Sequence, residues 1–159
     1  MFRIGHGYDV HKFSAHPKPL IVAGLEVDPE MGVLAHSDGD VVLHALCDAI
    51  LGSVCMRDIG FHFPDSDVKF KGKNSDFFVV SAQEMAAKKG YVIGNIDITI
   101  VAQVPKFLNY IEAMKVSIQN ILSLGDDKVN IKATTTEKLG FVGRKEGIAA
   151  HAIVLMNKT

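Results

Sequence analysis

NSDFFVVSAQEMAAKKGYVIGNIDITIVAQ, residues 74–103, carries a helical period and a strand period in direct succession. Phe77, Val80, Ala82 and Met85 fit a helix capped by Asn74-Ser75-Asp76, with Lys88 and Lys89 in its last turn and Gly90 after it. Ile96-Asp97-Ile98-Thr99-Ile100 then alternates with period two, which predicts a strand over 91–103. Upstream, Val41, Ala45, Asp48 and Leu51 with Leu43, Cys47 and Ile50 predict a buried helix, opened by Ser37-Asp38-Gly39-Asp40 and ended near Gly52. Before it, Phe2, Ile4, Tyr8 and Val10 alternate with polar or small residues, and residues 20–27 are rich in β-formers, so two early strands are expected. Downstream, Pro105 suits the first turn of a helix running through Leu108, Ile111, Val116, Ile118 and Leu122 to Gly125. Residues 129–133 and 148–156 read as the final strands, neighbours in the sheet, the last buried on both faces. This order predicts an α+β, two-layer fold, one mixed β-sheet with helices packed on one face. A sheet covered on one side often finds its other cover in a second subunit.

The 159 residues suit a single domain, 1–159, and 48% hydrophobic with 22% charged residues is globular composition. Seventeen Lys and Arg against 18 Asp and Glu give a net charge of -1, which excludes the broad positive field of a nucleic-acid binder. An anionic ligand must then be held by a few placed groups. Cys47 and Cys55 lack zinc-ribbon or redox spacing and are expected as buried, reduced thiols of a cytosolic protein. No secretory or membrane-spanning pattern is present, so neither membrane nor export is expected.

Asp9-Val10-His11 is the most specific local signal, because residues i and i+2 of a strand project from one face. His44, on the apolar helix, supplies a candidate third ligand, and Asp48 at i+4 could accept its other ring N–H. One acid and two imidazoles with an open fourth position match a functional zinc site. The alternative is a solvated strand face beside a core histidine. The loop His36-Ser37-Asp38-Gly39-Asp40 delivers donors to a helix N-terminus, or Ser37 or Asp38 simply caps that helix. Residues 58–67, DIGFHFPDSD, suit a lid or polyol site, or a plain loop. In Lys132-Ala-Thr-Thr-Thr-Glu-Lys-Leu-Gly140 the three hydroxyls suit a phosphate and Glu137 a hard cation, while Thr134 to Glu137 also has capping-box spacing. Arg144 and Lys106 are the cations placed to neutralise a phosphate, or else ordinary surface charges.

GHGYDVH, LAHSDGD with its following His44, DIGFHFPDSD, AQVPKF and KATTTEKLGF-x-GR, in this order along nearly the whole chain, strongly resemble the 2-C-methyl-D-erythritol 2,4-cyclodiphosphate synthase family of the non-mevalonate isoprenoid pathway. The resemblance implies a cyclising, CMP-releasing phosphorus-oxygen lyase, built as a homotrimer with active sites between subunits. Asp9, His11 and His44 then resemble the zinc ligands, Glu137 the ligand of a second divalent ion (Mg²⁺ or Mn²⁺), and His36 and Thr135 the residues that stabilise the transition state. Ser37 belongs with His36 at the substrate. Ala102, Gln103, Val104, Pro105, Lys106, Phe107 and Leu108, with Ala133, Thr134, Thr135 and Thr136, resemble the cytidine and phosphate segments. Asp58, Ile59, Gly60, Phe63, Pro64, Asp65, Ser66 and Asp67 resemble the methylerythritol loop. Phe141 and Arg144 resemble residues lining a cavity on the trimer axis. Two positions depart from the family pattern: Val104 replaces the commoner alanine and Phe107 the commoner leucine or methionine. Two rivals are a metal-dependent phosphohydrolase, which needs a general base beside the triad, and a non-enzymatic metabolite-binding module with a structural metal, for which a cysteine-rich closed site is expected.

Overall fold

Glycine decides how the two layers meet. The computed structural model describes residues 1–64, 66–70 and 72–159. Strand β1 (Phe2–Lys12) turns Gly5, Gly7, Asp9 and His11 inward, and helix α1 (Val41–Ser53) lies directly on the two glycines. A Cβ at Gly5 would sit 1.8 Å from the Ala49 carbonyl oxygen, and one at Gly7 1.8 Å from that of Ala45. No other residue type allows that approach.

The remaining elements are β2 (Leu20–Val22), β3 (Leu25–Asp28), α2 (Ile59–His62), a 3-10 turn at Val68–Phe70, α3 (Ser75–Lys88), β4 (Tyr91–Val101), α4 (Ile111–Leu122), β5 (Val129–Thr134), α5 (Gly140–Gly143) and β6 (Gly147–Lys158). The main sheet has the order β1-β6-β4-β5. β6 is antiparallel to both β1 and β4, and β5 is parallel to β4, so the sheet is mixed as expected. β1, β4 and β5 therefore run the same way and end at one edge of the sheet. Helices α1, α3 and α4 pack on its inner face, where Ile96, Ile98, Ile100, Ile148, Ala150, Ala152, Val154 and Met156 meet Leu43, Leu46 and Ile50. β2 and β3 form a separate hairpin.

Asp40 joins that hairpin to α1. Its fully buried carboxylate accepts N–H bonds from Ala23 (2.9 Å), Val42 (3.1 Å) and Leu43 (3.0 Å) on Oδ1 and from Gly24 (2.6 Å) on Oδ2. It is thus the N-cap of α1, in place of Ser37 or Asp38. Burial pushes this carboxyl up to about 6, against the pull of the Gly24, Leu43 and Ala23 donors.

Several expectations are corrected. β6 is buried on one face only: His151 and Ile153 are exposed, because the helices cover a single side of the sheet. β5 and β6 are not neighbours, since β6 inserts between β1 and β4. Residues 20–27 split at Ala23 and Gly24, both at positive φ, into the β2–β3 turn. No helix starts at Pro105; Ala102 N–H donates to Thr134 O, Phe107 is buried, and regular turns begin only at Ile111. Asn74 stands at the α3 N-cap without a side-chain bond, and the Thr134–Glu137 spacing caps no helix, because Glu137 and Lys138 adopt positive φ. Cys47 is buried, which pushes its thiol up, but Cys55 is exposed. Among the described residues no helix is long and apolar enough to cross a membrane.

The glycine contact generates a paired test by denaturant unfolding. Gly7→Ala must push α1 off the sheet and is expected to cost about 3 kcal/mol. Gly52→Ala, in the same helix with nothing within 4 Å of the added methyl, is expected to gain up to about 1 kcal/mol.

Candidate metal centre and substrate clefts

The close approach of α1 to β1 carries His44, in the first turn of the helix, to the inward face of the strand. There Asp9 Oδ2 lies 3.1 Å from His44 Nδ1 and 3.4 Å from His11 Nδ1. Asp9, His11 and His44 each offer a ligand atom within 4.8 Å of the others, and all three are partly buried. The pairing expected from D-x-H spacing is met.

The donors have the chemistry of a cation site. His11 Nδ1 donates to the Val10 carbonyl at 2.7 Å, so its lone pair is on Nε2, which is buried with no hydrogen-bond partner among the described residues. An orphaned buried nitrogen carries a desolvation cost that a bound cation removes. His44 Nε2 is 2.9 Å from Ser75 Oγ and 3.3 Å from Ser37 Oγ. Its Nδ1 faces the Asp9 carboxylate, a gap that needs either a proton or a cation. Burial alone would lower the His44 value, but the hydrogen bond to Asp9 and the charges of Asp9, Asp40 and Asp38 outweigh it and hold the imidazole above its ordinary range.

Asp48 does not take the expected role beside His44. Its Oδ1 accepts the Ile59 N–H at 2.7 Å, which anchors the start of α2, while burial raises its carboxyl and that bond lowers it.

A cleft of about 820 Å³ opens beside His11 and His44. His36, Ser37, Ile59, Gly60, Phe63, Pro64 and Ser66 line it, as does a wall of Leu34, Val68, Phe70 and Phe78 that periodicity does not mark. Asp58 caps α2 through the Phe61 N–H at 2.9 Å. Asp67 is engaged at 2.9 Å by Lys69, which holds its carboxyl below the usual range. Asp65 lies outside the described residues.

A second cleft of about 410 Å³ is lined by Ala102, Pro105, Lys106, Phe107, Leu108, Ile111, Ala133, Thr134 and Thr135. Gln103 turns its Oε1 to the Lys138 N–H at 3.3 Å, and Thr136 Oγ1 donates to Leu139 O at 2.6 Å. Thr135 Oγ1 donates to Glu137 Oε1 at 2.9 Å. Phe141 is partly exposed, and Arg144 is paired with Glu146 at 2.8 Å. The two clefts share no lining residue, so His36 and Thr135 belong to different clefts of one chain. Both clefts stand at the sheet edge where β1, β4 and β5 end.

The model of the YgbB family matches residues 2–157. A protein of Francisella philomiragia named 2-C-methyl-D-erythritol 2,4-cyclodiphosphate synthase is 56% identical over 157 residues, covering 99% of each chain. Among solved structures, the bifunctional IspDF of Campylobacter jejuni superposes with a TM-score of 0.96 at 45% identity, over all of this chain and 43% of that longer one. The IspF of Plasmodium falciparum, in a CDP complex, superposes with a TM-score of 0.87 at 36% identity, covering 99% of this chain and 97% of that one.

Proton and cation compete for one gap, and the sign follows. A His44 value above its unfolded value of about 6.5 stabilises the metal-free protein below that pH, and the contribution is lost as pH rises through the folded value. Metal-stripped protein is expected to melt earlier at pH 8 than at pH 6, and a bound divalent cation to reverse that loss. Bound metal, read by elemental analysis, is expected to fall as pH drops through the raised His44 value.

Proposed function

The chain belongs to the YgbB family of 2-C-methyl-D-erythritol 2,4-cyclodiphosphate synthases, and from that premise we propose how its residues carry out the reaction. The substrate is 4-diphosphocytidyl-2-C-methyl-D-erythritol 2-phosphate. An oxygen of its 2-phosphate bonds to the β-phosphorus, the bond from that phosphorus to the bridging oxygen breaks, and CMP leaves with the bridging oxygen. The cyclic diphosphate remains. Both reactive phosphates belong to the substrate, so no protein nucleophile is required and catalysis is positioning with charge stabilisation.

The observation that carries this reading is the Asp9, His11 and His44 donor set, with its unpaired His11 nitrogen, at the mouth of the larger cleft. Its imidazoles and carboxylate suit zinc, which when bound would draw charge from the β-phosphate and fix it for in-line attack. His36 and Ser37 reach the phosphates from the loop before α1, and Ile59, Gly60, Phe63, Pro64 and Ser66 enclose the polyol. Backbone groups of Ala102 to Leu108 and Ala133 to Thr135 hold the cytidine, Lys106 neutralises a phosphate, and Thr135 stabilises the transition state with His36. Glu137 would hold a second divalent cation, Mg²⁺ or Mn²⁺, which would offset phosphate charge.

Two half-sites in separate clefts of one chain support a homotrimer in which the metal centre of one subunit meets the nucleotide cleft of the next. The uncovered sheet face supports the same assembly: Phe2 (66% exposed), Ile4 (65%), Tyr8, Val10 and Ile153 leave an apolar surface that a neighbouring copy would bury. A cytoplasmic location is in keeping with this chemistry. Against hydrolysis stands the donor set itself: its one carboxylate, Asp9, faces His44 Nδ1 across the cation gap and so offers no free general base for a water.

Phosphorus NMR of the reaction is expected to show cyclic diphosphate with an equal amount of CMP; linear phosphates would favour hydrolysis. His36→Ala is expected to lower kcat by about 10²–10³-fold with bound zinc unchanged. Light scattering is expected to give a trimer, and an active monomer would overturn the shared site.

A further inference from the structure

The metal-facing side of His44 is one half of its ring. The other half meets a buried serine that comes from a different helix, and behind the serine stands an acid that neither the ligand set nor the substrate clefts use. We propose that Asp38 and Ser75 form a positioning relay for His44: Asp38 accepts the hydrogen bond of the Ser75 hydroxyl, Ser75 accepts that of the His44 Nε2–H, and Nδ1 is left with its lone pair toward the metal gap. The inference rests on the metal reading given above.

Each link follows from proton counting. Ser75 is fully buried at the start of α3. Its hydroxyl makes a short hydrogen bond to Asp38 Oδ1, and its N–H donates to Asp38 Oδ2 at 2.9 Å. A hydroxyl carries one proton, and a carboxylate is a stronger acceptor than an imidazole nitrogen or a second hydroxyl. Toward His44 the Ser75 oxygen therefore presents only lone pairs. The His44 Nε2 lies 2.9 Å from that oxygen, so it must bring the proton itself. Once a cation replaces the proton in the Asp9 gap the imidazole is neutral with one N–H, and Nδ1, 3.1 Å from Asp9 Oδ2, is then bare toward the cation. Ser37 Oγ is farther, at 3.3 Å, and Nε2 has a single in-plane position for a hydrogen bond, which the closer Ser75 oxygen takes.

Asp38 is held in turn: its Oδ1 also accepts the Asp40 N–H at 3.2 Å. The relay thus ties the ligand on α1 to the start of α3 and to the turn that caps α1. It restrains the ring plane as well as its proton. Such an outer hydrogen bond to a metal-binding imidazole is worth about 10–100-fold in metal affinity.

The test uses the full-length protein, wild type beside Ser75→Ala and Asp38→Asn, with zinc affinity measured by competition against a chromophoric chelator. A second readout is the His44 ring N–H in zinc-loaded, ¹⁵N-histidine-labelled protein. The wild type is expected to bind one zinc per chain and to show a slowly exchanging proton on Nε2. Ser75→Ala is expected to weaken zinc about 10–100-fold and to speed exchange of that proton, with Asp38→Asn weakening zinc in the same direction. A serine that only packs would change the melting temperature and leave both readouts alone. The relay is overturned if folded Ser75→Ala keeps zinc affinity within about threefold of wild type, below the span of such contacts. A wild-type spectrum with the His44 proton on Nδ1 overturns it too, and needs no variant to fold. A wild type that binds no zinc removes the metal reading and the relay together, a result distinguishable from either of these.

Discussion

The contact of α1 with the backbone of β1 at Gly5 and Gly7 is the constraint on which the rest of the structure depends. Side chains normally hold a helix about 10 Å from a sheet. Without them at these two positions the helix settles on the strand, and His44 comes within hydrogen-bond distance of Asp9, two residues beyond Gly7. The same face of β1 thus supplies first the absence of side chains and then two ligands. A strand with larger residues at those positions would hold the imidazole away from the carboxylate, and the donor set would never close.

Once closed, the site is electrostatically unfinished. A carboxylate and a histidine nitrogen share one gap, and the second histidine keeps a buried nitrogen with no partner among the described residues. In the metal-free protein a proton satisfies only the first of these. A divalent cation satisfies both, which explains why these residues sit together at the edge of an 820 Å³ cleft instead of in the apolar core. The cation would face a substrate carrying several phosphate charges; among the described residues its own cleft is lined by no lysine or arginine, and Arg144 is committed to Glu146, which leaves Lys106 of the nucleotide cleft. Substrate charge is thus left to the metal, to Lys106 and to placed hydrogen-bond donors, consistent with the small net charge of the chain.

Much of this was legible in the sequence, for reasons particular to each element. Asp9 and His11 are two apart in a strand, where spacing alone sets direction. α1 and α3 follow from apolar period and flanking signals, and β4 from strict alternation. Other features depend on contacts that spacing does not encode. Ser75 is 31 residues from His44, and its cap-like setting gave no hint that its hydroxyl faces an imidazole. Asp48 has the right helical offset from His44 but is captured by a backbone N–H of α2. The run 148–156 is rich in apolar residues, yet only tertiary packing decides which face is covered. Likewise the motifs carrying His36 and Thr135 reveal nothing of the clefts that divide them.

The central claim is that one cation is held by Asp9, His11 and His44, and anomalous diffraction at the zinc edge from zinc-loaded crystals tests it most directly. The account requires one strong peak per chain, about 2.0–2.2 Å from an Asp9 oxygen, His11 Nε2 and His44 Nδ1, with a further position open toward the larger cleft. A peak elsewhere, or one that leaves any of these three side chains beyond bonding distance, would contradict it.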